Sequence, residues 1–214
     1  MPNIDAAEAR AFVLEHAELM QPGLVPEIKL WLAINPFEIH QAQHELVGNQ
    51  PFWAFAWGGG QAISRWLLDH PESVAGKRVL DVGSGSAIEA IAALKAGART
   101  AVANDTDPIS CAAARLNAEA NGVALDITAV DILGTDPDAD VILIGDVFYL
   151  PDLVTRVGTF LERAQRRGAA IYFGDRSTSK RPPLPMSLVA EYRAPLTPEL
   201  EIGYVEISRV WRLE

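Results

Sequence analysis

The run Val79-Leu80-Asp81-Val82-Gly83-Ser84-Gly85-Ser86-Ala87 confines this chain to a small set of folds. Arg78 to Val82 is short, apolar and β-branched, which suits a buried parallel strand, and Ala87 to Lys95 is rich in good helix formers. The glycines therefore fall at a strand-to-helix turn. Such a turn uses glycine because its backbone takes dihedrals that side chains disfavour and because a ligand can then approach the main chain. Asp105 closes the next apolar run, Thr100 to Ala103, and follows Asp81 near the ~20-residue offset at which an acidic side chain accepts hydrogen bonds from ribose hydroxyls. The bland alternative is a Rossmann-like turn with no ligand.

From residue 78 onward strands and helices alternate. The expected strands are Arg78–Val82, Thr100–Asn104, Leu125–Val130, Val141–Gly145 and Ala169–Phe173, with helices Ala87–Lys95, Pro108–Asn121 and Leu153–Gln165 between them. This rhythm implies right-handed crossovers and a mostly parallel sheet covered by helices on both faces. Arg176 to Pro185 reads as a polar, proline-rich loop, and Tyr204 to Leu213 as a closing strand paired antiparallel to an earlier one. Upstream, Asp5 to Gln21 carries Ala9, Phe12, Val13 and Leu19 at helical spacing before a Pro22-Gly23 stop. Val25 to Leu32 is a short apolar run, and the polar segment between Pro36 and Pro51 has no strong periodicity. Gly58-Gly59-Gly60 leads into a helix with Ile63, Trp66, Leu67 and Leu68 on one face. We expect an α/β, Rossmann-like, seven-stranded sheet in one domain, residues 51–214, with residues 1–50 as an N-terminal helical extension packed on it.

Charge and cysteine usage narrow the partners. The net charge is −10 with no basic stripe, which disfavours nucleic acid and favours a lysine-bearing protein. The single cysteine, Cys111, lies in an alanine-rich helical stretch and reads as a small core residue, leaving no disulfide framework or multi-cysteine zinc site. No signal-like or membrane-spanning apolar stretch is visible, so we expect a cytoplasmic, reducing compartment without membrane association.

The choice of ligand rests on details of the turn. A dinucleotide fingerprint needs a third small residue at position 88, where this chain has Ile88, and Asp81 would repel a phosphate while attracting a cation. The pattern D-x-G-x-G-x-(G/A) resembles the glycine loop of the seven-stranded S-adenosylmethionine-dependent methyltransferases. Asp81, Asp105, Asp131 and Asp146 each follow or end a strand, at the edge where open α/β sheets bind ligands. The resemblance implies that Asp81 and Gly83, with Ser84 and Gly85, face the methionine end of S-adenosylmethionine. It further implies that Asp105 and Thr106 hold the ribose and that Asp131 receives the adenine amino group. Asp107, before Pro108, reads as a helix cap.

Two further motifs bear on the acceptor. Asp146-Val147-Phe148-Tyr149 lies where base and amide methyltransferases commonly carry Asn-Pro-Pro-Tyr. Together with Pro51-Phe52-Trp53-Ala54-Phe55-Ala56-Trp57-Gly58-Gly59-Gly60-Gln61-Ala62 it resembles the protein-lysine methyltransferases of the electron transfer flavoprotein β-subunit. Gly58 departs from that pattern, since many relatives carry proline there. The resemblance implies a protein-lysine N-methyltransferase with Asp146 and Tyr149 catalytic and Asp146 also beside the cofactor. Trp53 and Trp57 alternate with Phe55, so in an extended segment they share a face. That face is expected to line the pocket, with Trp57 toward the cofactor and Trp53, Phe148 and Tyr149 toward the substrate, while Phe55 packs in the core. Aromatic faces suit sulfonium and methylammonium groups by ~0.5 to 2 kcal/mol each.

Attack by a lysine amine needs its neutral form, which costs about 4.6 kcal/mol at pH 7 for a pKa near 10.4. A carboxylate favours the charged amine, so Asp146 is expected to orient the incoming ammonium, with desolvation and proton loss to water supplying the neutral amine. No metal is required. The alternatives are a methyltransferase for a ribosomal protein or a small molecule, and a non-catalytic nucleoside-binding module.

Overall fold

The structure, a computed structural model, describes residues 4–148, 151–176, 184–195 and 205–214. Helix α1 (Ala6–His16) starts at a capping box: Asp5 accepts from the Ala7 and Glu8 amides while the Glu8 carboxylate accepts from the Asp5 amide. It stops at His16, short of the expected Gln21, because Ala17–Met20 leaves as strand β1 and pairs antiparallel with β2 (Leu30–Ala33). The segment expected to lack periodicity forms α2 (Pro36–Val47), with Asn35 capping the Phe37 and Glu38 amides and Pro36 in the first turn. Its buried stripe, Ile39, Gln43 and Val47, has a polar residue at its centre, which hid the period.

A short 3-10 turn (Phe52–Ala54) leads to α3 (Gly58–Asp69). There follow β3 (Arg78–Val82), α4 (Ile88–Lys95), β4 (Thr100–Asn104), α5 (Pro108–Asn121) and β5 (Asp126–Thr128). The chain then runs through β6 (Val141–Ile144), α6 (Pro151–Arg166), β7 (Ala170–Arg176), β8 (Met186–Pro195) and β9 (Val205–Leu213). The seven-stranded sheet has the order β5-β4-β3-β6-β7-β9-β8, parallel through β7 and antiparallel at β7–β9 and β9–β8. The chain moves from β3 outward to β4 and later back to β6 on the other side. The crevice at the carboxyl end of β3 is therefore the topological switch point where such sheets bind ligands.

Residues of β6 sort the core into its layers. Val141 and Leu143 pack with Ile63 and Leu67 of α3 and Ile91 of α4, whereas Ile142 and Ile144 pack with Val157, Phe160 and Leu161 of α6. On a third side α1 lies against α5, and Trp53 joins Phe12, Ile39 and Ile109 in an apolar cluster. Cys111 is buried in α5. Among the described residues no helix is long and apolar enough to cross a membrane.

Strands β5, β7 and β8 differ from expectation for visible reasons. Strand β5 ends at Thr128 because the Asn104 side chain, rather than a ladder, bonds the Thr128 and Val130 carbonyls. Strand β7 continues to Arg176 because Gly174, Asp175 and Arg176 find antiparallel partners on β9. Strand β8, which the sequence reading left without an element, pairs along β9 through an irregularity between Leu188 and Ala190. Most of the expected loop at Arg176–Pro185 lies outside the described residues.

Candidate functional site

A cavity of about 480 Å³ opens at the carboxyl ends of β3, β4 and β6, within the range of small-molecule sites. Its floor is the glycine turn. Gly83 has φ 69° and a Cβ there would lie 2.6 Å from Val147 Cγ1, so both the dihedral and the space demand glycine. The turn is tied down by the Gly83 and Ser84 amides, which donate to the Asn104 carbonyl at 2.9 and 3.0 Å. Ala87 then sits at φ 60° ahead of α4.

Asp105 stands at the end of β4 beside this turn. Its Oδ2 accepts from the Gly85 amide and its Oδ1 from the Asp107 amide, both at 2.9 Å, so the carboxylate shapes the loop while facing the cavity. Burial lifts its pKa to about 6 despite those bonds. Asp107 caps α5 through the Ile109 amide, as expected. Thr106, Ser84 and Gly85 also face the cavity. Asp131 reaches its rim, where an exposed ion pair with Arg156 holds its carboxyl below the usual range.

Asp81 is a correction. It is 1% exposed and absent from the cavity wall, because its Oδ2 turns back to accept the Ala90 amide of α4 at 3.0 Å. Burial raises its pKa to about 7. The carboxylate that does face the cavity there is Glu89, in the first turn of α4, which the sequence reading missed.

The opposite wall gathers residues from three distant stretches. The Gly59 amide at the start of α3 donates to Asp146 Oδ2 at 2.7 Å, and Arg176 Nε meets Asp146 Oδ1 at 3.3 Å. The Arg176 guanidinium stands 5.1 Å from the Trp57 ring, a cation–π distance. Trp57 is fixed by its indole bond to the Phe52 carbonyl at 2.8 Å and by the edge of Phe55. A Cβ on Gly59 would lie 2.6 Å from the Gly174 carbonyl, so helix and strand touch backbone to backbone. A Cβ on Gly58 would meet Ser208 Oγ and crowd Arg176 Cγ, so glycine here makes room for the arginine.

The aromatic expectations divide. Trp57 lines the cavity; Phe55 packs in the apolar cluster as expected and also borders the cavity, whereas Trp53 is fully buried with its indole donating to Gln43 Oε1 at 2.8 Å. The 3-10 turn at Phe52–Ala54 breaks the two-residue alternation on which the shared face depended. Phe148 points into the core against Phe173, ring edge to ring face, rather than into the cavity. Tyr149 lies outside the described residues. No cluster of His, Cys, Asp or Glu among the described residues is arranged to hold a metal.

Comparison with known proteins sets this site in context. Residues 63–147 match the family described as ribosomal protein L11 methyltransferase. The electron transfer flavoprotein β-subunit lysine methyltransferase of Xenopus laevis is 40% identical over 170 residues, covering 78% of this chain and 69% of the frog protein. Its Homo sapiens counterpart is 41% identical over 160 residues, covering 73% of this chain and 61% of the human protein. Among solved structures, a ribosomal protein L11 methylase from Lactobacillus delbrueckii subsp. bulgaricus superposes with a TM-score of 0.51 at 22% identity, over 73% of this chain and 78% of that one. The 16S rRNA N2 G1207 methyltransferase of T. thermophilus, solved with AdoMet and guanosine, gives 0.59 at 16% identity over 92% of this chain and 50% of that one. At these identities the two structures establish the fold alone.

Proposed function

The chain belongs to the electron transfer flavoprotein β-subunit lysine methyltransferase family, and from that premise we propose that it moves a methyl group from S-adenosylmethionine to lysine side chains of that β-subunit. The cavity fits the cofactor. Its volume suits a nucleoside joined to an amino acid, the Gly83–Gly85 turn leaves main chain open to close approach, and Asp105 keeps lone pairs for ribose hydroxyls beyond its two amide bonds. When bound, the cofactor supplies an electrophilic methyl on a sulfonium leaving group.

One observation carries the acceptor side: the Asp146 corner already holds a cation against an aromatic face, in the form of Arg176 over Trp57. A lysine ammonium arriving from a protein surface meets the same carboxylate and the same ring. Asp146, fixed by the Gly59 amide, orients it. Trp57 and Phe55 exclude water around the nitrogen, which lowers the cost of losing its proton to solvent before attack. Holding amine and methyl in line supplies most of the rate.

Incubating the protein with purified β-subunit, ribosomal protein L11 and bulk RNA, each with methyl-labelled cofactor, tests this. Label on lysines of the β-subunit is expected. Label confined to L11 or RNA overturns the acceptor and leaves the methyltransferase reading intact.

A further inference from the structure

Glu89 is buried at 5% exposure in the first turn of α4, yet it borders the cavity. Its carboxylate fills a slot between Gly60 of α3 and Gly145 at the end of β6. A Cβ on Gly145 would clash with Glu89 Oε1, and one on Gly60 would come within 3.3 Å of it. Both neighbours are therefore glycines where this side chain passes. Among the described residues Oε2 has no hydrogen-bond partner, although it is shielded from solvent. Among the described residues the charged groups that act on it are Asp81 from β3 and Asp146 beyond β6, and both repel it.

A carboxylate in this position is stable in neither form on its own. Ionised, it is a desolvated charge without a counter-ion. Protonated, it still leaves Oε2 buried without a hydrogen-bond partner among the described residues. A ligand that brings a positive charge and N–H donors satisfies both needs. The location decides between the two cations the reaction involves. Asp105 follows β4, and the Glu89 carboxylate lies against Gly145, which follows β6, with β3 between them, so the two carboxylates stand about two strand spacings apart, roughly 9 to 10 Å. That is the reach from the ribose hydroxyls to the amino-acid end of an extended adenosyl amino acid. In the functional reading above, the acceptor lysine belongs to the Trp57–Arg176 side, at Asp146.

We propose that Glu89, and not Asp81, is the counter-ion of the cofactor's α-ammonium group, taken up in the slot between Gly60 and Gly145. This rests on the cofactor reading above. Asp81 is already engaged by the Ala90 amide and has a structural task.

The test is calorimetric binding of S-adenosylhomocysteine, its analogue lacking only the α-amino group, and 5′-methylthioadenosine, which lacks the whole amino acid. Wild type should bind the des-amino analogue at least tenfold more weakly than S-adenosylhomocysteine, a result that needs no mutant. Glu89→Gln should lose at least tenfold in affinity for S-adenosylhomocysteine, bind it and the des-amino analogue alike, and keep its affinity for 5′-methylthioadenosine within twofold. Equal affinity of wild type for S-adenosylhomocysteine and the des-amino analogue overturns the assignment, as does a Glu89→Gln loss shared equally by 5′-methylthioadenosine. Wild type that binds S-adenosylhomocysteine while Glu89→Gln binds it equally well overturns this role alone. Wild type that binds none of the three overturns the cofactor reading with it.

Discussion

The glycine turn after β3 and the Asp146 corner share one sheet edge but are built on opposite plans. The turn comes from neighbours in sequence, and its acidic groups are largely spent on main-chain amides: Asp105 on Gly85 and Asp107, Asp81 on Ala90. The corner is assembled from residues near 57, 146 and 176, and its charges are held chiefly by side chains, Arg176 between Asp146 and the Trp57 ring, at the cavity wall. In the first region the proposed cofactor would meet groups that the fold already uses. In the second the contacts join side chains placed toward the proposed acceptor, so damage there should fall mainly on methyl transfer.

The largest expected effect is at the corner. Asp146→Ala should slow methyl transfer by about 100-fold or more, roughly 2.7 kcal/mol. The fold should lose about 1 to 2 kcal/mol, from the Gly59 amide left without its acceptor and the Arg176 guanidinium left without this carboxylate. S-adenosylhomocysteine affinity, measured by calorimetry, should change less than about threefold, near 0.6 kcal/mol. A parallel collapse of binding and transfer would erase the contrast between the two regions.

Asp105→Ala should behave in the other way. Two amides lose their acceptor, so thermal unfolding of the free protein should show a loss of about 1 to 3 kcal/mol, and S-adenosylhomocysteine should bind weaker by about 1.5 to 3 kcal/mol. Weakened binding at unchanged stability would break the claim that the turn uses one set of bonds twice.

The third prediction concerns pH. Asp81 and Asp105 titrate near 7 and 6 in the folded chain, above the ordinary 3.8, mainly because burial disfavours their charge. The folded state then binds more protons than the unfolded one between those values. Their contribution to stability is complete below pH 4 and is lost as pH rises through about 7. Melting temperature of the ligand-free protein should fall over that window. Asp81→Asn, which keeps an acceptor for the Ala90 amide, should flatten the slope by an amount worth about 1 to 3 kcal/mol. An unchanged slope would remove Asp81 as its source.

The same contrast governs what the sequence makes legible. Strands β3 and β4 and helix α5 begin and end where spacing and turn residues set them, because each is specified by contiguous side chains. Asp105 and the glycines were readable for the same reason. Glu89 was not, since an acidic residue in a first helical turn reads as a complement to the helix dipole. Arg176 was not, because its partners lie on other elements. Trp53 misled because its partner, Gln43, belongs to a helix whose apolar period Gln43 itself interrupts.

The meeting of Gly59 and Gly174 bears on how this protein can diverge over evolutionary time. Main chain touches main chain there, so neither position tolerates a side chain and neither element can slide against the other. The amide that aims Asp146 is thereby set like a jig in a workshop, independent of what is clamped in it. Descendants can exchange the rings and cations around the corner while the direction in which Asp146 is held is inherited intact.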